Sequence, residues 1–125
     1  MTGIRIPATT GGQGGAYEKL ERKVGDFATV GVATQITLAT DGSVSAAGIG
    51  LTAVGATNLR ATAAEEELLA SGADASAIEA AAVKAADASR PTADTRGSEE
   101  YKRDMVRVLT GRALRRSVER ARAAS

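Results

Sequence analysis

From Ala28 to Leu38 the chain alternates without a break: Ala28, Val30, Val32, Thr34, Ile36 and Leu38 share one face. Thr29, Gly31, Ala33, Gln35 and Thr37 share the other, the period of a half-buried strand. Asp41-Gly42 then predicts a tight hairpin, because both residues tolerate positive φ. A second strand is predicted from about Val44 to Val54, with Ala47, Ile49, Leu51 and Ala53 on one face. Gly48 and Gly50 on its other face predict close approach by another backbone. After Gly55 the period lengthens. A helix is predicted from near Arg60, with Ala61, Ala64 and Leu68, joined by Leu69, as its apolar stripe. Ser71-Gly72 stops it, with Gly72 as a left-handed cap.

Ser76 with Glu79 three residues on forms a capping-box pattern, opening a helix over Ala77–Ala88 whose buried side is almost all alanine. Arg90-Pro91 ends it. The last helix is predicted to begin at Ser98, with Glu99 and Glu100 in the dipole-favoured first turn. Tyr101, Met105, Val108 and Leu109 form one stripe, and Leu114, Val118 and Ala121 another out of phase with it. Gly111 lies between the two, which predicts a bend there or different neighbours for the two halves. Strands first and helices afterwards define an α+β domain, with helices on one face of a small antiparallel sheet.

Ahead of these elements, Ile4-Arg5-Ile6-Pro7 alternates like a short edge strand, and Ala8 to Gly15 carries four glycines, the composition of a flexible connector. The reading is therefore a lead-in strand and linker over residues 1–16, following a domain absent from the chain, and a folded domain over 17–125. The domain opens on a dense charged run, Tyr17-Glu18-Lys19-Leu20-Glu21-Arg22-Lys23, then Val24-Gly25-Asp26-Phe27-Ala28.

Composition narrows the chemistry. Alanine supplies 27 residues while Val, Ile, Leu and Phe together supply 23, so the core is thin and suits a face completed by a neighbour. With no His and no Cys, the chain lacks the commonest general base, a thiol nucleophile, the usual zinc donors, iron–sulfur ligands and disulfides. No apolar run approaches a membrane span and the N-terminus lacks a signal-peptide core, so a cytoplasmic chain is expected. Net charge is +1, and the arginines of the last helix (Arg103, Arg107, Arg112, Arg115, Arg116, Arg120 and Arg122) are interspersed with Glu119. Few aromatics accompany them, so nucleic acid is not the expected partner. Glu65-Glu66-Glu67 point around a helix and read as a solvated face, not a metal site.

Four segments carry a family resemblance: Ile4 to Pro7, Tyr17 to Ala28, Leu51 to Ala61, and Pro91 to Arg103 with its Asp94, Arg96-Gly97-Ser98 and Tyr101-Lys102-Arg103. In this order they resemble the C-terminal domain of the FAD-binding medium subunit of molybdenum hydroxylases, the aerobic carbon monoxide dehydrogenases and xanthine dehydrogenase-like enzymes. The resemblance implies a sheet of three or four antiparallel strands with about three helices, docked on upstream FAD-binding domains. It implies that FAD is held mainly outside this chain, with iron–sulfur clusters in a small subunit and the molybdenum cofactor in a large one. Gly11 to Gly15 precede no helix and do not make a phosphate loop.

By the same resemblance Tyr17 approaches the isoalloxazine ring, an apolar face with a polar edge. Lys19, Arg22, Lys23 and Asp26 fall in a loop beside the ring, where cations favour its anionic reduced form. Val24 and Gly25 replace the acidic pair of xanthine dehydrogenase-like members, which favours a quinone over NAD as acceptor. Asp94 and Arg96 read as a structural pair at a turn. The alternative reading is a subunit-docking domain without flavin contact.

Overall fold

The computed structural model describes residue 3 and residues 12–21, 29–94 and 97–124. The alternating segments form strands β2 (Val30–Leu38) and β3 (Val44–Thr52), antiparallel neighbours that pair Val32 with Leu51 and Thr34 with Ile49. Their connection is a three-residue loop, Thr40-Asp41-Gly42, rather than a turn with two positive φ values. Ala39 N–H donates to Ser43 O at 2.8 Å, Gly42 N–H donates to Ala39 O at 2.9 Å, and of the loop residues Gly42 alone has positive φ, at 88°. The Asp41 carboxylate accepts from the Ser43 hydroxyl at 2.6 Å and the Ser43 N–H at 3.0 Å, bonds that lower its pKa.

Two further strands flank this hairpin. β1 (Gln13–Leu20) pairs antiparallel with β2, and the two-residue β4 (Leu59–Arg60) pairs antiparallel with β3, giving the order β1-β2-β3-β4. β1 starts inside the glycine-rich stretch read as connector. The reason is tertiary: a Cβ at Gly14 would collide with Ser117 O and Ala121 N of the last helix and reach 2.9 Å from Arg120 C. Glycine lets that helix lie directly on the strand backbone. The lead-in Ile4–Pro7 lies outside the described residues.

Three helices cover one face: α1 (Thr62–Ser71), α2 (Ala75–Ala88) and α3 (Glu99–Ala123). α3 crosses β1 and β2, α2 packs between α3 and α1, and α1 lies against β3. The helix expected from near Arg60 begins at Thr62, because Leu59 and Arg60 are strand β4. Leu69 points outward, 49% exposed, leaving Ala64 and Leu68 as the buried stripe of α1. Gly72 ends α1 with φ 89° and donates to Leu68 O. The cap of α2 is Asp74, whose carboxylate accepts from Ala77 N–H at 2.8 Å, so Ser76 is already inside the helix. The buried side of α2 is Ala77, Ile78, Ala81, Ala82, Ala85 and Ala86, small residues that admit its neighbours closely.

Ser98 caps α3 as expected, accepting from Tyr101 N–H at 3.1 Å. α3 runs through Gly111 as one helix; the second stripe, Leu114, Val118 and Ala121, is buried as expected, whereas of the first only Leu109 is, and the buried face there starts instead at Lys102 and Val106. Tyr101 is exposed. The sequence stripe missed that start because Lys102 occupies it; its ammonium donates to Thr92 O at 2.7 Å and pairs with Asp94 at 2.9 Å. Lys102 therefore ties down the turn before α3, where Asp94 and Gly97 exchange backbone hydrogen bonds; Arg96 lies outside the described residues.

Candidate functional site

Alternation gives the sheet a second face, and no described helix covers it. Gly15, Tyr17 and Lys19 of β1 point to it, with Gly31, Ala33 and Gln35 of β2 and Gly48, Gly50 and Thr52 of β3. Most of these side chains are very small. Neither Gly48 nor Gly50 has any atom within 4 Å of the place a Cβ would take. The close approach expected there is therefore not made among the described residues; the two glycines leave an open floor.

Tyr17 is the largest side chain on this face and is 51% exposed. Its seat is built by its neighbours. A Cβ on Gly31 would lie 2.6 Å from Tyr17 Oη and 2.5 Å from Thr52 Cγ2, so the tyrosine crosses β2 above a residue with no side chain. Gln35 lies over Gly15 in the same manner, toward β1 and away from β3. Beside Tyr17 is a hollow of about 170 Å³ lined by Ala33, Gly50, Leu51, Thr52, Asn58 and Leu59. It continues across Ala33 and Gly50 into a wider depression of about 490 Å³ that reaches Gln35, Gly48 and Arg60.

The rim of that depression is fixed by Glu65, which is buried (4% exposed) and not part of a solvated acidic face. Its Oε2 accepts from Ile49 N–H at 2.9 Å, a donor that the short β4 leaves without a strand partner. Both carboxylate oxygens also accept from Arg60 Nε, at 3.0 and 2.9 Å, and Oε1 pairs with Arg60 Nη2 at 2.8 Å. The hydrogen bond and then the charge of Glu65 raise the pKa of the Arg60 guanidinium. This carboxylate completes the sheet, and its charge is matched where it sits.

Of the expected site residues, Tyr17 and Lys19 share the open face. Lys19 belongs to β1 rather than to a loop, and its ammonium is 2.9 Å from Glu21. Arg22, Lys23 and Asp26 lie outside the described residues. Asn58, at the edge of the Tyr17 hollow, was not singled out from sequence; nothing about a lone asparagine before a two-residue strand signals it. The α3 arginines are partly committed within the fold. Arg107 pairs with Glu79 and Asp104, Arg116 with Glu18, and Arg120 donates to Gly15 O at 2.6 Å.

The architecture is a helix-backed sheet whose outer face carries, among the described residues, a single aromatic side chain, Tyr17. The chain belongs to the family of CO dehydrogenase flavoprotein C-terminal domains, whose pattern matches residues 15–117. It is 42% identical over 123 residues to the carbon monoxide dehydrogenase medium chain of Afipia carboxidovorans, covering 98% of this chain and 41% of that one. It is 32% identical over 119 residues to the alpha subunit of the 6-hydroxypseudooxynicotine dehydrogenase complex of Paenarthrobacter nicotinovorans, covering 95% of this chain and 40% of that one. It superposes on carbon monoxide dehydrogenase from Hydrogenophaga pseudoflava, solved without the Mo-pyranopterin moiety of the molybdenum cofactor. There the TM-score is 0.87 at 43% identity, over 92% of this chain and 40% of that one. The chain thus spans about two fifths of the length of these relatives. The α+β fold, a four-stranded antiparallel sheet under three helices, is that of the family. Among the described residues, no helix is long and apolar enough to cross a membrane.

The residues present would suit contact with the face of a flavin but not the holding of its phosphates. A half-exposed phenol ring above a flat glycine and alanine floor suits the face of a planar ring. Gly12 immediately precedes strand β1 and Gly14 and Gly15 lie within it, so they do not form the glycine turn at a helix N-terminus that cradles phosphates.

Proposed function

We propose that this domain closes over the isoalloxazine ring of an FAD held by other domains of a molybdenum hydroxylase medium subunit of the CO dehydrogenase type. The observation that carries the reading is the exposed Tyr17 ring on the uncovered sheet face of a flavoprotein domain. Tyr17 would lie against the ring and exclude water from it, while Gly31 and Thr52 hold the tyrosine in place. Lys19, Arg22, Lys23 and Asp26 would line the approach to the ring and set its electrostatic surroundings. The flavin supplies the step from one-electron iron–sulfur centres to an external acceptor, favoured as a quinone rather than NAD. On this reading the partners are the FAD-binding domains, an iron–sulfur small subunit and a molybdenum large subunit, assembled in the cytoplasm, with no nucleic acid.

The test mixes the full chain with an FAD-loaded module that lacks this domain. Binding should change the flavin's absorbance or fluorescence. Tyr17→Ala should weaken that response about threefold to tenfold, the scale of a lost aromatic contact. A complex that forms with the flavin spectrum unmoved would instead support a docking domain without flavin contact.

A further inference from the structure

The hollow beside Tyr17 contains a second recognition element, independent of the aromatic ring. Asn58 lines it, and the Thr52 hydroxyl donates to Asn58 Oδ1 at 2.8 Å. That bond occupies the carbonyl side of the amide and fixes which way the group is turned. The two N–H donors of Asn58 then have no partner among the described residues, although an exposed amide at a hollow's rim is free to meet one. Thr52 joins the two elements: its methyl group borders the place above Gly31 that Tyr17 occupies, and its hydroxyl orients Asn58. The floor between them is Ala33 and Gly50, where no side chain larger than a methyl group stands in the way.

We infer that Asn58, oriented by Thr52, is a hydrogen-bond donor to the acceptor-bearing edge of the flat ring that Tyr17 covers. The inference rests on the flavin reading above and adds to it the orientation of the ring. A flat ring lying on Tyr17 and on the Ala33–Gly50 floor brings one edge to Asn58. Only an edge carrying carbonyl oxygens or unprotonated ring nitrogens can accept from that amide, and the pyrimidine side of an isoalloxazine carries them, whereas its dimethylbenzene side does not. Asn58 therefore selects which end of the ring enters the hollow.

The experiment is a titration of the isotopically labelled full chain with FMN, followed by NMR of the Tyr17 ring and the Asn58 side-chain amide. Both signals should move with one saturation curve. Thr52→Val keeps the methyl group beside Tyr17 and removes the orienting hydroxyl; Asn58→Asp replaces the donors with a repelling carboxylate. Each should weaken FMN binding about twofold to tenfold, the effect of one hydrogen bond, while the dispersed backbone spectrum shows an intact fold. If FMN moves Tyr17 but leaves Asn58 still, and both variants bind as the parent does, the Asn58 assignment is overturned and the flavin reading stands. If FMN moves neither residue, the Asn58 assignment falls, and the flavin reading is decided separately by the FAD-loaded module.

Discussion

The two faces of the sheet obey opposite rules about size. On the inner face, Val30, Val32, Ile36, Ile49 and Leu51 are all but inaccessible under the helices, and even a glycine is there because a backbone presses on it. On the outer face the glycines of β3 have nothing above them. Gly14 inside is a packing necessity; outside, Gly48 and Gly50 create room, while Gly15 and Gly31 seat Gln35 and Tyr17. The same residue type thus reports core density on one side and an unfilled surface on the other, and only the neighbours tell which.

The largest effect should come from breaking the inner rule. Gly14→Ala sets a methyl group against Ser117 O and Ala121 N, fixed backbone atoms that cannot rotate away. It should cost about 2–3 kcal/mol of stability, the scale of a severe overpacking, read as a fall in the denaturant midpoint at unchanged slope. The matched change outside, Gly48→Ala, meets empty space and should be neutral or stabilise by about 0.5 kcal/mol through the unfolded chain. Equal losses from the two substitutions would erase the contrast.

Next in size is the seam between the faces. Glu65→Ala strips the Ile49 N–H of its buried acceptor and should cost about 1–3 kcal/mol in the same denaturation measurement. Protection of the Ile49 amide from hydrogen exchange should fall with it, and an unchanged exchange rate would show that another group had taken the donor.

The smallest effect lies at the hairpin tip. The Asp41 pKa is lowered in the folded state by Ser43, so its contribution is present above the unfolded value and fades as pH falls through the folded one. Asp41→Asn should flatten that part of the acid stability profile slightly and leave neutral pH almost untouched. A full exposure to solvent keeps the effect small.

How far these features could be read from sequence follows from their range. The β2–β3 pair, the alanine face of α2 and the Ser98 cap are legible because each depends on residues within a turn or a strand. The hairpin loop shows the limit even there: Asp41-Gly42 marks the turn, yet its length is three because Thr40 joins it. Strand β1 escapes a local reading since Gln13-Gly14-Gly15 has little strand preference of its own and is held by α3, about a hundred residues later. Glu65 looks like one acid in a row of three. Its burial follows from the two-residue length of β4, a fact of tertiary pairing. Lys102 likewise hides the start of the α3 core face, because a lysine there needs Thr92 O and Asp94 to be tolerated. Tyr17 is singled out by the family motif that contains it, and the structure adds its place on the outer face. The bare floor around it was not legible, for it exists only once three strands lie side by side.

Side chains from the helical layer also decide the direction from which anything can join this sheet. The Arg120 guanidinium sits on the outward carbonyl of Gly15 along β1, and the Glu65 carboxylate sits on the amide of Ile49 beyond the end of β4. Both margins are thus plugged at groups an incoming extended segment would need to pair with. Extension by strand addition is discouraged on either flank, so the broad outer face, rather than a margin, is the open approach to the sheet.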